Sequence, residues 1–138
     1  MNGLKIPSDI VAKMICDAKN SAPMEVCGIL AGRGGGVTQF YRMTNTDNSG
    51  EHFMMAPEEQ FAVVKEIRER GLEVLGIYHS HPSTPARPSA EDIRLALTPE
   101  VTYVIVSLQD VDVPVLKGFL IEDGDVKEAA IEILEAGQ

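Results

Sequence analysis

Apolar residues recur at helical spacing at Ile10, Val11, Met14, Ile15 and Ala18, and Pro7-Ser8-Asp9 supplies a start signal before them. The pattern predicts a helix capped by Ser8 or Asp9 and finished before Pro23. Residues 26–31 form an unbroken apolar run suited to a buried strand. Gly32 to Gly36 (GRGGG) reverses the chain, and the alternating residues 37–43 make the partner strand of a hairpin. Residues 52–56 are a candidate short strand. Pro57 opens a second helix to about Arg70, with Phe61, Val64 and Ile67 inward, and Gly71 closes it. Residues 72–81 read as a strand. The stretch PSTPARP that follows holds three prolines and reads as an ordered loop. A short helix is expected over residues 89–97, and a β-branched central strand over 101–108. Residues 113–122 and 126–134 read as two further strands about Asp123-Gly124-Asp125. Ala129, Ala130, Ile133 and Leu134 also fit a helical period, so the last segment stays open between strand and helix. The expected class is α/β (α+β): one domain over residues 1–138, with a mixed sheet of six or seven strands and two or three packed helices.

Composition narrows the functions. With 138 residues, 44% of them hydrophobic, the chain can bury a core without staples. The net charge is −9, and residues 70–138 hold 5 basic against 12 acidic side chains. No basic stripe is present, so nucleic acid is not an expected partner. No run of 18 apolar residues occurs, so no membrane span is expected. The first residues, MNGLKIPSDIVAKM, lack a charged segment followed by an unbroken apolar one, so no secretory leader is expected. Cys16 and Cys27 form neither a disulfide framework nor a C-x-x-C pair, and a reducing cytoplasm is the expected compartment.

Candidate chemistry concentrates in Gly76-Ile77-Tyr78-His79-Ser80-His81-Pro82. Histidines at i and i+2 on a strand share a face and can reach one metal ion. The alternative is a pair of polar residues at a fraying strand end. Ser89-Ala90-Glu91-Asp92 has the spacing of a capping box, with Asp92 in the first helical turn. Asp92 could also supply an oxygen ligand, and the two roles are compatible. Two imidazoles and one carboxylate leave a fourth tetrahedral position open, as in catalytic rather than structural zinc. The same donors also suit iron or manganese. A hydrolase would further need a general base and an oxyanion donor. Glu25, just before the apolar run, is a candidate base, although periodicity does not select it over Glu51 or Glu73.

His79-Ser80-His81-Pro82, six residues, then Ser89-x-x-Asp92, resembles the signature of the JAMM (MPN-plus) metallopeptidases. The upstream element Pro23-Met24-Glu25-Val26-Cys27-Gly28-Ile29-Leu30 is similar to the glutamate-bearing strand of that family. Every motif position matches, and Asn45, Phe53 and Pro57 sit where the family's linking segment often has similar residues. The resemblance implies a curved mixed sheet with helices on both sides, of cytidine deaminase-like architecture. It implies that His79, His81 and Asp92 bind one Zn2+ per chain. Glu25 would deprotonate the zinc-bound water and pass the proton to the leaving amine, and Ser89 would donate a hydrogen bond to the oxyanion. The implied reaction is hydrolysis of a peptide or isopeptide bond at the C-terminal tail of a ubiquitin-like protein. The chain is near the family's minimum length and has no room for the insertions of eukaryotic deubiquitinating relatives. Such compact members resemble the prokaryotic branch, whose implied substrates are sulfur-carrier proteins with a Gly-Gly tail. The expected partner is therefore such a carrier, with a homodimer left open. The alternative is a non-catalytic MPN-type interaction module, but members of that kind lack motif residues that are intact here.

Other features carry blander readings. Cys27 could share a face with Glu25, but a buried inert thiol is the better account, and Cys16 falls near the helix stripe as packing. The GRGGG stretch lacks the Gly-Lys-Ser/Thr ending of a phosphate loop. His52 receives no role, and Arg87 is open between a substrate contact and a solvated loop residue. The H-x-E and P-C-x-x-C elements of zinc deaminases are absent.

Overall fold

The computed structural model describes residues 3–135. In chain order the elements are β1 (Leu4–Pro7), α1 (Ser8–Ser21), β2 (Cys27–Arg33), β3 (Gly36–Met43), α2 (Pro57–Glu69), β4 (Glu73–His81), α3 (Ala90–Arg94), β5 (Thr102–Ser107), β6 (Val115–Glu122), β7 (Asp125–Ala129) and β8 (Ile131–Leu134). All eight strands join one sheet in the order β7-β6-β5-β4-β2-β3-β1-β8. Pairing is mixed: β4 runs parallel to β5, and β1 parallel to β3 and β8, while the remaining pairs are antiparallel.

One face of the sheet carries α1. Ile10, Val11, Met14 and Ala18 pack there with Leu4, Ile6, Leu30, Tyr78, Val104 and Val106. The Tyr78 hydroxyl donates to the Met14 carbonyl at 2.8 Å and ties α1 to the central strand β4. On the opposite face Ile67 of α2 packs on Cys27, Ile29 and Met43. Ile93 beside Tyr103, Ile105 and Ile121 extends that layer over β5 and β6. The β2–β4 register shifts between Leu30 and Ala31, which face Gly76 and Val74. Leu75 is thus an extra residue, and this bulge resets the alternation. Tyr78 then faces α1, while Ile77, His79 and His81 face the other way.

The structure corrects several expectations. The sheet has eight strands rather than six or seven. Leu4–Pro7 is an additional strand without a sequence signature, because four residues ending in proline give little periodicity. The helix begins at Ser8 after Pro7, with no side-chain cap from Ser8 or Asp9. Phe61 is 73% exposed rather than inward, since α2 buries only the side that carries Ile67. Cys16 is exposed rather than packed. Residues 52–56 form no strand, only an isolated bridge from Met55 to Asn45. The predicted helix at 89–97 is shorter, with Ser89 as its cap. Residues 126–134 are extended, not helical, but divide at Ala130 into strands on opposite edges of the sheet.

That division requires strong curvature, because one residue separates strands that pair with β6 and with β1. Gly118 makes room for it: a Cβ there would lie 2.9 Å from Ile131 Cδ1 and 3.0 Å from Thr102 Cγ2. Gly118→Val should therefore destabilise the fold by about 1–3 kcal/mol in urea unfolding, as overpacking does. A variant as stable as the parent would show that the curl does not depend on this gap.

Candidate metal centre and general base

Strand β4 ends at His81, and Pro82 stops it from continuing. His79 and His81 are 2% and 4% exposed. Their Nε2 atoms lie 3.1 Å apart. Asp92 reaches both through one oxygen, Oδ2, at 3.2 Å from His79 Nε2 and 3.1 Å from His81 Nε2. The helix cap orients that carboxylate. Ser89 Oγ accepts from the Asp92 amide at 3.0 Å, and the Ser89 amide donates to the same Oδ2 at 2.9 Å. The capping box and the carboxylate's approach to the histidines are thus one arrangement.

The loop of residues 82–88 is held in place by its carbonyls. Ser107 Oγ donates to the Thr84 carbonyl, and His81 Nδ1 lies 2.9 Å from that of Pro85. A proton on His81 Nδ1 leaves its Nε2 bare in the neutral ring. Only one hydrogen, on His79 Nε2, is then available for three mutual contacts. A divalent cation would satisfy all three at once. Tetrahedral ligands about 2.0 Å from such an ion lie roughly 3.3 Å from one another, close to the spacing found here. The residues present fit a metal.

The surroundings shift all three groups. Burial lowers the pKa of His79, which keeps its ring neutral with a lone pair to offer. Burial alone would raise the Asp92 carboxyl, but the two histidines beside its Oδ2 outweigh it and hold it well below the usual carboxylate range. Burial alone would lower His81, but its bonds to Asp92 and the Pro85 carbonyl raise it. His79 stacks on Phe53 with ring centroids 4.7 Å apart.

Glu25, which the resemblance named and periodicity alone did not separate from Glu51 or Glu73, lies near enough to His81 and Asp92 for their charges to act on it. It is 4% exposed, and its Oε1 is buried without a hydrogen-bond partner. Burial pushes its pKa up to about 7, with His81 opposing and Asp92 reinforcing the shift. A carboxylate poised near neutrality suits general-base work. Beside the centre lies a cavity of about 380 Å³ whose wall includes His52, Phe53, Met54, Leu95 and Tyr103. His52 therefore borders the site, although no sequence pattern marked it; its Nδ1 lies 2.9 Å from Asp47 Oδ2. Cys27 shares a sheet face with His79 but packs with Ile29, Met43 and Ile67, its thiol pushed up to about 12 by burial, which fits the inert reading. Arg87 is exposed.

The Prok-JAB family, prokaryotic homologs of the JAB domain, matches residues 7–117. The chain belongs to this family. The JAB domain is 34% identical over 134 residues to the CysO-cysteine peptidase of Mycobacterium tuberculosis, covering 96% of this chain and 92% of the relative. It is 35% identical over 95 residues to the desampylase of Pyrococcus furiosus, covering 69% of this chain and 68% of the relative. The solution structure of DSY2949 from Desulfitobacterium hafniense superposes with a TM-score of 0.87 at 43% identity, covering 96% of this chain and 93% of that one. A JAB1/MPN domain protein from Archaeoglobus fulgidus, AF2198, shares the fold at TM-score 0.67 and 21% identity, covering 97% of this chain and 100% of that one. The chain is a compact JAMM-type hydrolase with the α+β JAB fold.

The Glu25 environment sets a pH dependence. The folded carboxyl keeps its proton to about pH 7, whereas its ordinary value is near 4.5. Between these values the unfolded chain binds fewer protons than the folded one, so stability of the metal-free JAB domain falls as pH rises. Metal-free Glu25→Gln should exceed the parent at pH 8 by on the order of 2–3 kcal/mol in urea unfolding, the gap closing near pH 4. Equal stability at pH 8 would refute a buried ionisable Glu25.

Proposed function

We propose that this JAB domain is a zinc-dependent isopeptidase. It would cleave the amide that joins an amine adduct to the C-terminal Gly-Gly tail of a ubiquitin-like sulfur-carrier protein. The observation that supports this reading is a buried Glu25 carboxylate near enough to His81 and Asp92 for their charges to act on it, beside the His79–His81–Asp92 group. The peptidase and desampylase names of the relatives support the substrate class.

His79, His81 and Asp92 would hold the ion. When bound, Zn2+ would supply a Lewis acid that acidifies water and polarises the scissile carbonyl. Glu25 takes the proton from the attacking water and delivers it to the leaving amine. The Ser89 hydroxyl accepts from the Asp92 amide through a lone pair, so its hydrogen is free for the developing oxyanion. The apolar wall beside His79 offers an extended tail a surface to lie against. Two free thiols suit a reducing cytoplasm as the place of action. Among the described residues no helix is long and apolar enough to cross a membrane.

Purified protein should hold about one zinc per chain by elemental analysis, and His81→Ala should lose it, since three ligands are the minimum for such a site. A carrier whose C-terminal Gly-Gly is amide-linked to aminomethylcoumarin should be cleaved by the zinc-loaded chain. Glu25→Gln should keep the zinc and lose turnover by about 100-fold or more, because only the proton carrier is removed. Unchanged turnover in Glu25→Gln would overturn the mechanism, and unchanged zinc in His81→Ala would overturn the ligand set. Absence of turnover by the zinc-loaded parent would favour a binding module instead.

A further inference from the structure

A base that shuttles a proton cannot be pinned by a permanent donor, because such a bond would lower its basicity. Glu25 Oε1 has no hydrogen-bond partner. Its position is instead set through its main chain. The Glu25 amide donates to the Ser49 carbonyl at 2.7 Å. Asn45 Nδ2 donates to the Glu25 carbonyl at 3.1 Å. The next amide, that of Val26, donates to Ser80 Oγ at 2.9 Å.

Ser80 lies between His79 and His81 and is fully buried. Its own amide donates to the Val26 carbonyl at 3.0 Å. In a regular antiparallel pair the reciprocal bond runs to the main-chain carbonyl. Here the hydroxyl takes it. The side chain between the two histidines therefore sets how the chain carrying Glu25 meets β4. Asn45 uses its whole bonding capacity on the same task. Besides Glu25 it donates to the His52 carbonyl at 3.2 Å, and its Oδ1 accepts from the amides of Asp47 and Met54, both at 3.1 Å.

We propose that Ser80 and Asn45 are positioning residues that clamp the peptide group following Glu25, Asn45 at its carbonyl and Ser80 at its N–H, and so hold the buried carboxylate beside His81 and Asp92. This rests on Glu25 being the general base. Ser80 is fully buried and out of a substrate's reach.

The test compares Ser80→Thr with Ser80→Val, which have nearly the same shape and differ in the hydroxyl. The readouts are kcat and KM on the Gly-Gly-aminomethylcoumarin carrier, zinc content, and hydrogen exchange of the Val26 amide. Ser80→Val should lose about 10- to 100-fold in kcat, the scale of a small misplacement at a reacting centre, with KM and zinc unchanged. It should also speed Val26 exchange. Ser80→Thr should restore both. Asn45→Asp, which keeps the acceptors and loses the donors, should show the same kcat loss at normal zinc content. Thr and Val variants alike in kcat and in exchange would overturn the clamp, as would zinc lost in step with kcat. Where the carrier is not turned over, exchange decides: equal Val26 protection in the two variants refutes the clamp. An active Glu25→Gln sinks the base assignment itself. An inactive Glu25→Gln beside a fully active Ser80→Val sinks only the clamp.

Discussion

The pairing of β4 with its neighbours carries consequences for both faces of the sheet. Toward α1 it presents Tyr78, whose hydroxyl reaches the Met14 carbonyl. Away from α1 it presents His79 and His81. The bulge at Leu75 decides which residues take which face, since one residue of slip exchanges every side chain across a sheet. Past that extra residue the pairing runs unbroken from Leu30–Gly76 to Cys27–His79, and alternation sends the tyrosine and the histidines to opposite faces. The β2 register, with Cys27 opposite His79, then places Glu25 beside the strand end without any long-range loop.

The centre gathers groups that a fold optimised only for stability would avoid. A carboxylate with an unpartnered oxygen is buried at Glu25, and His79 Nδ1 is buried without a partner. Such groups carry a desolvation penalty of about 1–3 kcal/mol each. They persist because the surrounding strands and the rigid proline loop leave them no alternative. Asp92 shows the opposite economy: a single oxygen completes a helix cap and faces both histidines.

The local parts of the site were legible in the sequence. His79 and His81 share a strand, and Ser89 and Asp92 share a helical turn, so spacing alone relates each pair. The long-range parts were not. Glu25 could not be told from Glu51 or Glu73 by periodicity, because its place depends on the β2–β4 register. Asn45 and His52 belong to a segment with almost no regular structure, and side-chain hydrogen bonding leaves no periodic trace. Phe61 misled because a helix carrying few apolar residues gives little information about which of them face the core. The extended character of residues 126–134 was readable, but the break at Ala130 was not, since it reflects the curvature of the finished sheet.

That break also bears on the order in which the protein can assemble. Strand β1 makes four register pairs with β8, from Leu4–Ile131 to Pro7–Leu134, but only one with β3. During synthesis the first strand thus emerges long before its main partner exists. The hairpin of β2 and β3 and the β5–β6–β7 meander can form from neighbouring chain, whereas the pairing of β1 with β8 carries the largest loop-closure cost in the sheet. Among the described strands β8 emerges last and secures β1, so a nascent chain stalled short of Ile131 would leave most of the β1 edge unpaired.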